Sequence, residues 1–245
     1  MTTPIPLSDF DANLVGFGTP KKLDQGGVIG ITYDGEIGAL RIKIPAGRIP
    51  FDCSKGYQDK GSKLELKIEL PDTPEFAVAR RVLAEIDKAA RNHLRDAASD
   101  ICSTIAMKGA KEKELRAGAN FHGLLRAATN AKYPDSLTLK WTAPDPAKAP
   151  STRDVVIVDT QNRPVRWETI KRDAMVTAVV RIKGVFVNTS LTSIQVEPIA
   201  MCVVSAKKEV ATVELFADEM EAHAAKRQRV AGPPEDESEE ADDGA

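Results

Sequence analysis

Lysines and arginines stand close to aromatic rings at three places in the sequence. Lys140 precedes Trp141, and Arg166, Lys171 and Arg172 surround Trp167. Arg48 and Lys60 bracket Phe51 and Tyr57 in a stretch rich in Gly, Pro and Lys. A further set, Arg41, Lys43, Arg181 and Lys183, alternates with apolar residues, which puts these cations on one face of a strand. Cations that meet phosphates, beside rings that stack on bases, are the chemistry needed to hold a single-stranded nucleic acid without reading its sequence. Each ring also has a plainer role. Trp141 is in phase with Leu137 and Leu139, which favours the core, whereas Trp167 lacks apolar partners at strand spacing. Phe51 follows Pro50 and equally suits the closing of a barrel, and any single lysine or arginine is most often solvated surface. The set carries more weight than its members.

Residues for other chemistries are missing. No Gly-rich phosphate loop ends in Gly-Lys-Ser/Thr, and Gly16-Phe17-Gly18 is only a fragment of a dinucleotide fingerprint with no helix behind it. His93, His122 and His223 have no second His or Cys at metal-ligand spacing. Cys102 lies in an apolar helical stretch, where a small buried hydrophobe is expected rather than a nucleophile. The expectation is a non-enzyme with no cofactor and no metal.

Strands must position most of these residues. Val28–Tyr33 and Ile37–Ile44 flank Asp34-Gly35, a hairpin signal. In Lys63–Leu70, Leu64, Leu66, Ile68 and Leu70 alternate with Lys63, Glu65, Lys67 and Glu69, the period of a half-buried strand. Pro45 to Gly61 reads as a loop. Thr73-Pro74-Glu75 opens a helix, with a proline where a first-turn N–H is dispensable and an acid facing the dipole. Phe76, Ala79, Leu83, Ile86 and Ala90 supply its apolar stripe, and helix is expected toward Met107 and again over Lys111–Ala128. The strands Ser136–Trp141, Val155–Asp159, Met175–Val187 and Leu191–Val204 follow, with Gly184 marking a bulge. Glu214–Arg229 reads as a polar helix. Strands on either side of a helical block, without strand–helix alternation, predict an α+β fold on an antiparallel barrel.

Charge divides the chain. Its net charge is −2, yet Glu235 to Asp243 holds seven acids and no base, so the body sets 34 cations against 29 acids. The expected organisation is a body over 1–213 with a helical insertion near 73–128, a polar helix and basic linker over 214–232, and a disordered acidic tail over 233–245. No apolar run approaches a membrane span, no secretory signal opens the chain, and three well-separated cysteines suit a reducing compartment. Lys226-Arg227-Gln228-Arg229 fits a short nuclear-import pattern.

One resemblance joins these features. Phe10-Asp11, then Leu14-Val15-Gly16-Phe17-Gly18-Thr19-Pro20-Lys21-Lys22, a strand ending Ile44-Pro45, Ile49-Pro50-Phe51-Asp52, the strand Leu64–Leu70 and finally Gly184-Val185-Phe186-Val187 come in an order that resembles the single-stranded DNA-binding proteins of nucleocytoplasmic large DNA viruses. These are similar to the podovirus replication type. The resemblance covers roughly residues 7 to 204. It implies an OB-fold core, non-catalytic binding of single-stranded DNA in replication, recombination or repair, and an acidic tail that contacts replication proteins. It also implies work in the nucleus or cytoplasm of an infected eukaryotic cell. The podovirus type ends in an aromatic residue, where this sequence has Gly244-Ala245. A homo-oligomer is left open. The rival reading is an acidic-tailed structural or chaperone-like protein that does not touch nucleic acid.

Overall fold

The alternation in Lys63–Leu70 becomes a strand whose apolar half is sealed. Leu64, Leu66, Ile68 and Leu70 are all buried, while Lys63, Glu65 and Lys67 face outward. The computed structural model describes residues 3–55, 63–144 and 154–205, and all of these belong to one compact unit. The expected boundaries at 213 and 232, the polar helix and the acidic tail lie outside the described residues.

Among the described residues, seven strands precede the helices: β1 (Val15–Phe17), β2 (Lys21–Leu23), β3 (Gly26–Tyr33), β4 (Glu36–Ile37), β5 (Arg41–Arg48), β6 (Ser54–Lys55) and β7 (Lys63–Glu69). Three helices follow, α1 (Pro74–Asp96), α2 (Ala98–Thr104) and α3 (Gly109–Ala117). The chain then returns to strands: β8 (Phe121–His122), β9 (Leu125–Arg126), β10 (Ser136–Thr142), β11 (Val156–Asp159), β12 (Met175–Val187) and β13 (Thr192–Ser205).

β12 and β13 form the long central hairpin. The far edge of β12 is shared, with Gly184–Val187 pairing to β3 and Met175–Arg181 pairing to β5. A second sheet runs β6-β7-β10-β9. The two sheets approach at Gly47 of β5, where a side chain would collide with the Glu69 carbonyl, and again where β10 runs beside β13. Together they curl into a largely antiparallel half-barrel, the α+β class expected. Gly184 sits at a register shift, and a Cβ there would collide with the Ile29 carbonyl. The barrel bends there.

Four details differ from the expectations. Asp34 and Gly35 do make the turn, both at positive φ (50° and 79°), but the hairpin is a two-residue stub. Gly38, at φ 74°, diverts the chain so that β5 pairs with β12 instead. β5 also runs through Pro45 to Arg48, because a register shift in the β5–β12 ladder spares the proline a donor it lacks. The expected helix over Lys111–Ala128 stops at Ala117, where Gly118 takes the left-handed cap, and residues 121–126 form β8 and β9. Two of the pairings, β8 and β11 with β13, are parallel.

α1 follows its expected stripe, burying Phe76, Ala79, Leu83, Ile86 and Ala90 together with Val82 and Leu94. Arg80 ties it to the second sheet through the Leu70 carbonyl (2.6 Å) and Asp135 (2.9 Å). No helix among the described residues is long and apolar enough to cross a membrane.

Candidate nucleic-acid interface

Between β10 and β13 two strand edges face each other without a ladder. β9 pairs with β10 only at Ser136 and Leu137, while β8 and β11 pair with β13 at 192–193 and 200–203. Thr138–Thr142 and 194–199 pair with β7 and β12 on one side, and on the sides that face each other have no strand partner among the described residues. The gap is a groove of about 570 Å³. Lys63, Arg126, Lys140 and Lys183 line it, against the two carboxylates Asp154 and Glu197. Its apolar walls are Trp141, Ile194, Val196 and Pro198. The Oγ1 of Thr138, a groove residue, is buried and has no hydrogen-bond partner among the described residues.

The charged rim is held by pairs that solvent can reach. Lys140 Nζ meets Glu65 at 3.1 Å with its side chain 58% exposed, and Lys183 Nζ meets Glu197 at 3.0 Å. Glu197 also receives Arg181 from the same strand face. Burial alone would raise the Glu197 carboxyl, but the hydrogen bonds and charges of Arg181 and Lys183 outweigh it, so the group sits below the usual carboxylate range. In the β5–β12 ladder Arg41 lies directly opposite Arg181, and Lys43 opposite Val179. These cations make an outer face that continues from the groove through Lys183.

The other expected residues gather elsewhere. Phe51 is 63% exposed, with Lys67 Nζ 5.6 Å from its ring centre. Nearby, the Arg172 amide donates to Asp52 (2.7 Å), and Lys171 Nζ lies 3.8 Å from the same carboxylate. Arg166 reaches Glu168 at 3.0 Å and remains largely exposed. Trp167 is half-buried and packs on the core from the short turn Trp167–Thr169. Cys53, buried beside this cluster, has its thiol pushed up to about 12 by burial and by the nearby Glu168 and Asp52. Such a thiol stays protonated and inert. Tyr57 and Lys60 lie outside the described residues.

Arg48 has a structural task. Its Nε and Nη2 hold Glu69 at 2.7 and 2.9 Å, and its Nη1 holds Asp173 at 2.9 Å, joining β5, β7 and the turn before β12. The Glu69 hydrogen bonds come first in raising the guanidinium pKa further. Trp141 is buried, as its phase predicts. His93 stacks on Phe17 with ring centres 4.3 Å apart, and burial lowers its pKa. Among the described residues, no group of three or more His, Cys, Asp or Glu could hold a metal ion.

Lys63 and Arg126 are not among the binding residues expected from the sequence. Lys63 belongs to the polar half of an alternating strand and carries no aromatic neighbour. Arg126 falls where a helix is expected, so its place on a strand edge is hidden.

No family model matches the chain, and no curated protein matches it. Among solved structures it is similar to the single-stranded DNA-binding protein from bacteriophage Enc34 in complex with ssDNA, at 13% identity and a TM-score of 0.45, covering 79% of this chain and 98% of that one. It is also similar to gp2.5, a single-stranded DNA-binding protein encoded by bacteriophage T7, at 16% identity and a TM-score of 0.43, covering 73% of this chain and 93% of that one. Both likenesses are distant, and the functional reading rests on the groove itself.

Proposed function

We propose that the chain is a non-catalytic single-stranded DNA-binding protein acting in replication, recombination or repair, of the type that large DNA viruses encode. One observation carries this reading: the groove between the open edges of β10 and β13, with four cations on its rim and apolar walls. Phosphates meet Lys63, Arg126, Lys140 and Lys183. Bases turn toward the apolar walls and toward backbone groups that have no strand partner among the described residues, which any base can use. A duplex, with its bases already paired and stacked, offers the groove only phosphates. The order of motifs from Phe10 to Val187 supports DNA as the strand and replication as the setting. The acidic segment Glu235–Asp243 is assigned to replication proteins, whose recognition would be electrostatic.

Fluorescence anisotropy with one labelled sequence as ssDNA, duplex DNA and ssRNA tests the reading. Tightest binding to ssDNA is expected. Equal affinity for duplex and single strand would refute it, and no binding to any nucleic acid would favour the acidic-tailed interaction protein.

A further inference from the structure

β9 is only Leu125 and Arg126, and its two residues serve two different grooves. Arg126 lines the groove between β10 and β13. Leu125 lines a second groove, of about 500 Å³, between α1 and α3. Consecutive strand residues lie about 3.3 Å apart along the chain and point to opposite sides. The two grooves therefore lie on opposite sides of β9, which ends its sheet among the described residues.

The second groove is also cationic. Lys88, Arg91 and Arg95 come from α1 and Arg116 from α3, against the single carboxylate Asp87. All four cations are exposed. Lys88, Arg91 and Arg95 follow one helix stripe, in steps of about 4.5 and 6 Å along the axis. A row of that kind suits successive charges along a strand better than one compact anion.

Their present partners are weak competitors. Arg95 pairs with Asp96 at 3.0 Å, and Arg116 with Glu112 at 2.9 Å, with the arginine side chains 55% and 52% exposed. Exposed pairs of this sort contribute little and yield to a phosphate. Arg91 lies over the Phe121 ring at 4.3 Å, a stack that fixes the guanidinium plane and leaves its edge N–H groups for an incoming oxygen. Asp87 is buried, and its two oxygens accept the Leu124 amide (2.7 Å) and the Leu125 amide (3.3 Å). Helix-dipole compensation at the α1 C-terminus would explain Arg95 alone, not its convergence with Lys88 and with Arg116 from another helix.

We propose that the α1–α3 groove is a second phosphate-binding segment, which carries a single strand onward from the β10–β13 groove around the edge of β9. This rests on the proposed reading of the first groove. The test uses thymidine oligonucleotides of about 5 and about 25 nucleotides, spanning the range of single-domain site sizes. The full-length double variant Lys88→Glu/Arg95→Glu alters only exposed side chains, and its unchanged melting temperature would confirm folding. Lys88→Gln/Arg95→Gln serves as the milder form.

For the long oligonucleotide, weaker binding is expected in both variants, more so in the Glu form. In the Gln form the log–log salt slope should be shallower by about 1.4, roughly 0.7 for each lost phosphate contact. Binding of the short one should be unchanged within about twofold, since it fits in the first groove. Wild-type affinity for the long strand would overturn the proposal. An equal loss at both lengths would also overturn it, as a general field effect. Tighter wild-type binding of a labelled polyglutamate peptide than of the long strand, lost in the variant, would assign the groove to acidic protein segments instead. A wild-type protein that binds neither length would bring down the first groove's reading along with this one.

Discussion

Arg48 and Phe51 lie three residues apart and show how neighbours of similar promise divide their work. Arg48 has its guanidinium engaged by Glu69 and Asp173, and Glu69 is nearly buried, its side chain only 7% exposed. Removing the arginine strands that carboxylate in a low-dielectric site, where a lost partner costs more than the pair contributes. Arg48→Ala is expected to lower stability by about 1–3 kcal/mol, read from urea unfolding, while the folded fraction keeps its affinity for ssDNA. Phe51 has the opposite profile, exposed and touched by Lys67. If a base stacks on it, Phe51→Ala should weaken ssDNA binding by about 1–3 kcal/mol, with no change in melting temperature. A loss of stability without a loss of binding would make the ring a barrel plug. In the sequence these two residues look alike, because a charge or a ring does not reveal which carboxylates the fold brings beside it.

The elements differ in how far they were legible. Met175–Val187 and Lys63–Leu70 announce themselves because a strand half-buried on one face must alternate. α1 does so because its stripe repeats at helical spacing and Thr73-Pro74 marks its start. β8 and β9 do not. Two residues each are too short for any period, and what fixes them is tertiary: Asp87 of α1 accepts the Leu124 and Leu125 amides, and Gly123 lies so close to its carboxylate that no side chain fits. The groove was illegible for the same reason, since β10 and β13 stand some fifty residues apart in the chain. Burial pushes the Asp87 carboxyl up to about 6, despite the two amides and Arg91, which pull it down. A carboxyl raised in the folded state favours folding most when protonated. Stability should therefore fall as pH rises from about 4 to about 6, by up to about 3 kcal/mol, and stay level above that. Asp87→Asn should flatten this limb of a urea-midpoint profile. An unchanged slope would remove Asp87 from the account.

For the whole molecule, the body and the acidic segment oppose each other in charge. Truncation after Gly232 converts a net charge of −2 into +5. Tighter ssDNA binding is expected at low salt, with the gain shrinking as the Debye length shortens to about 10 Å at 0.1 M. Unchanged affinity at every salt concentration would reduce the segment to a solubility device. Weaker binding would place it among the binding elements.

The claim on which the rest depends is that a single strand lies between β10 and β13. Arg126→Ala/Lys140→Ala removes two rim cations from different strands of the second sheet, both of them exposed. The most direct measurement is the ssDNA dissociation constant of wild type and variant across a salt series. Weaker binding by the variant is expected at low salt, with a log–log salt slope shallower by about 1.4, or roughly 0.7 for each lost phosphate contact. A variant that matches the wild type in both affinity and slope would contradict it.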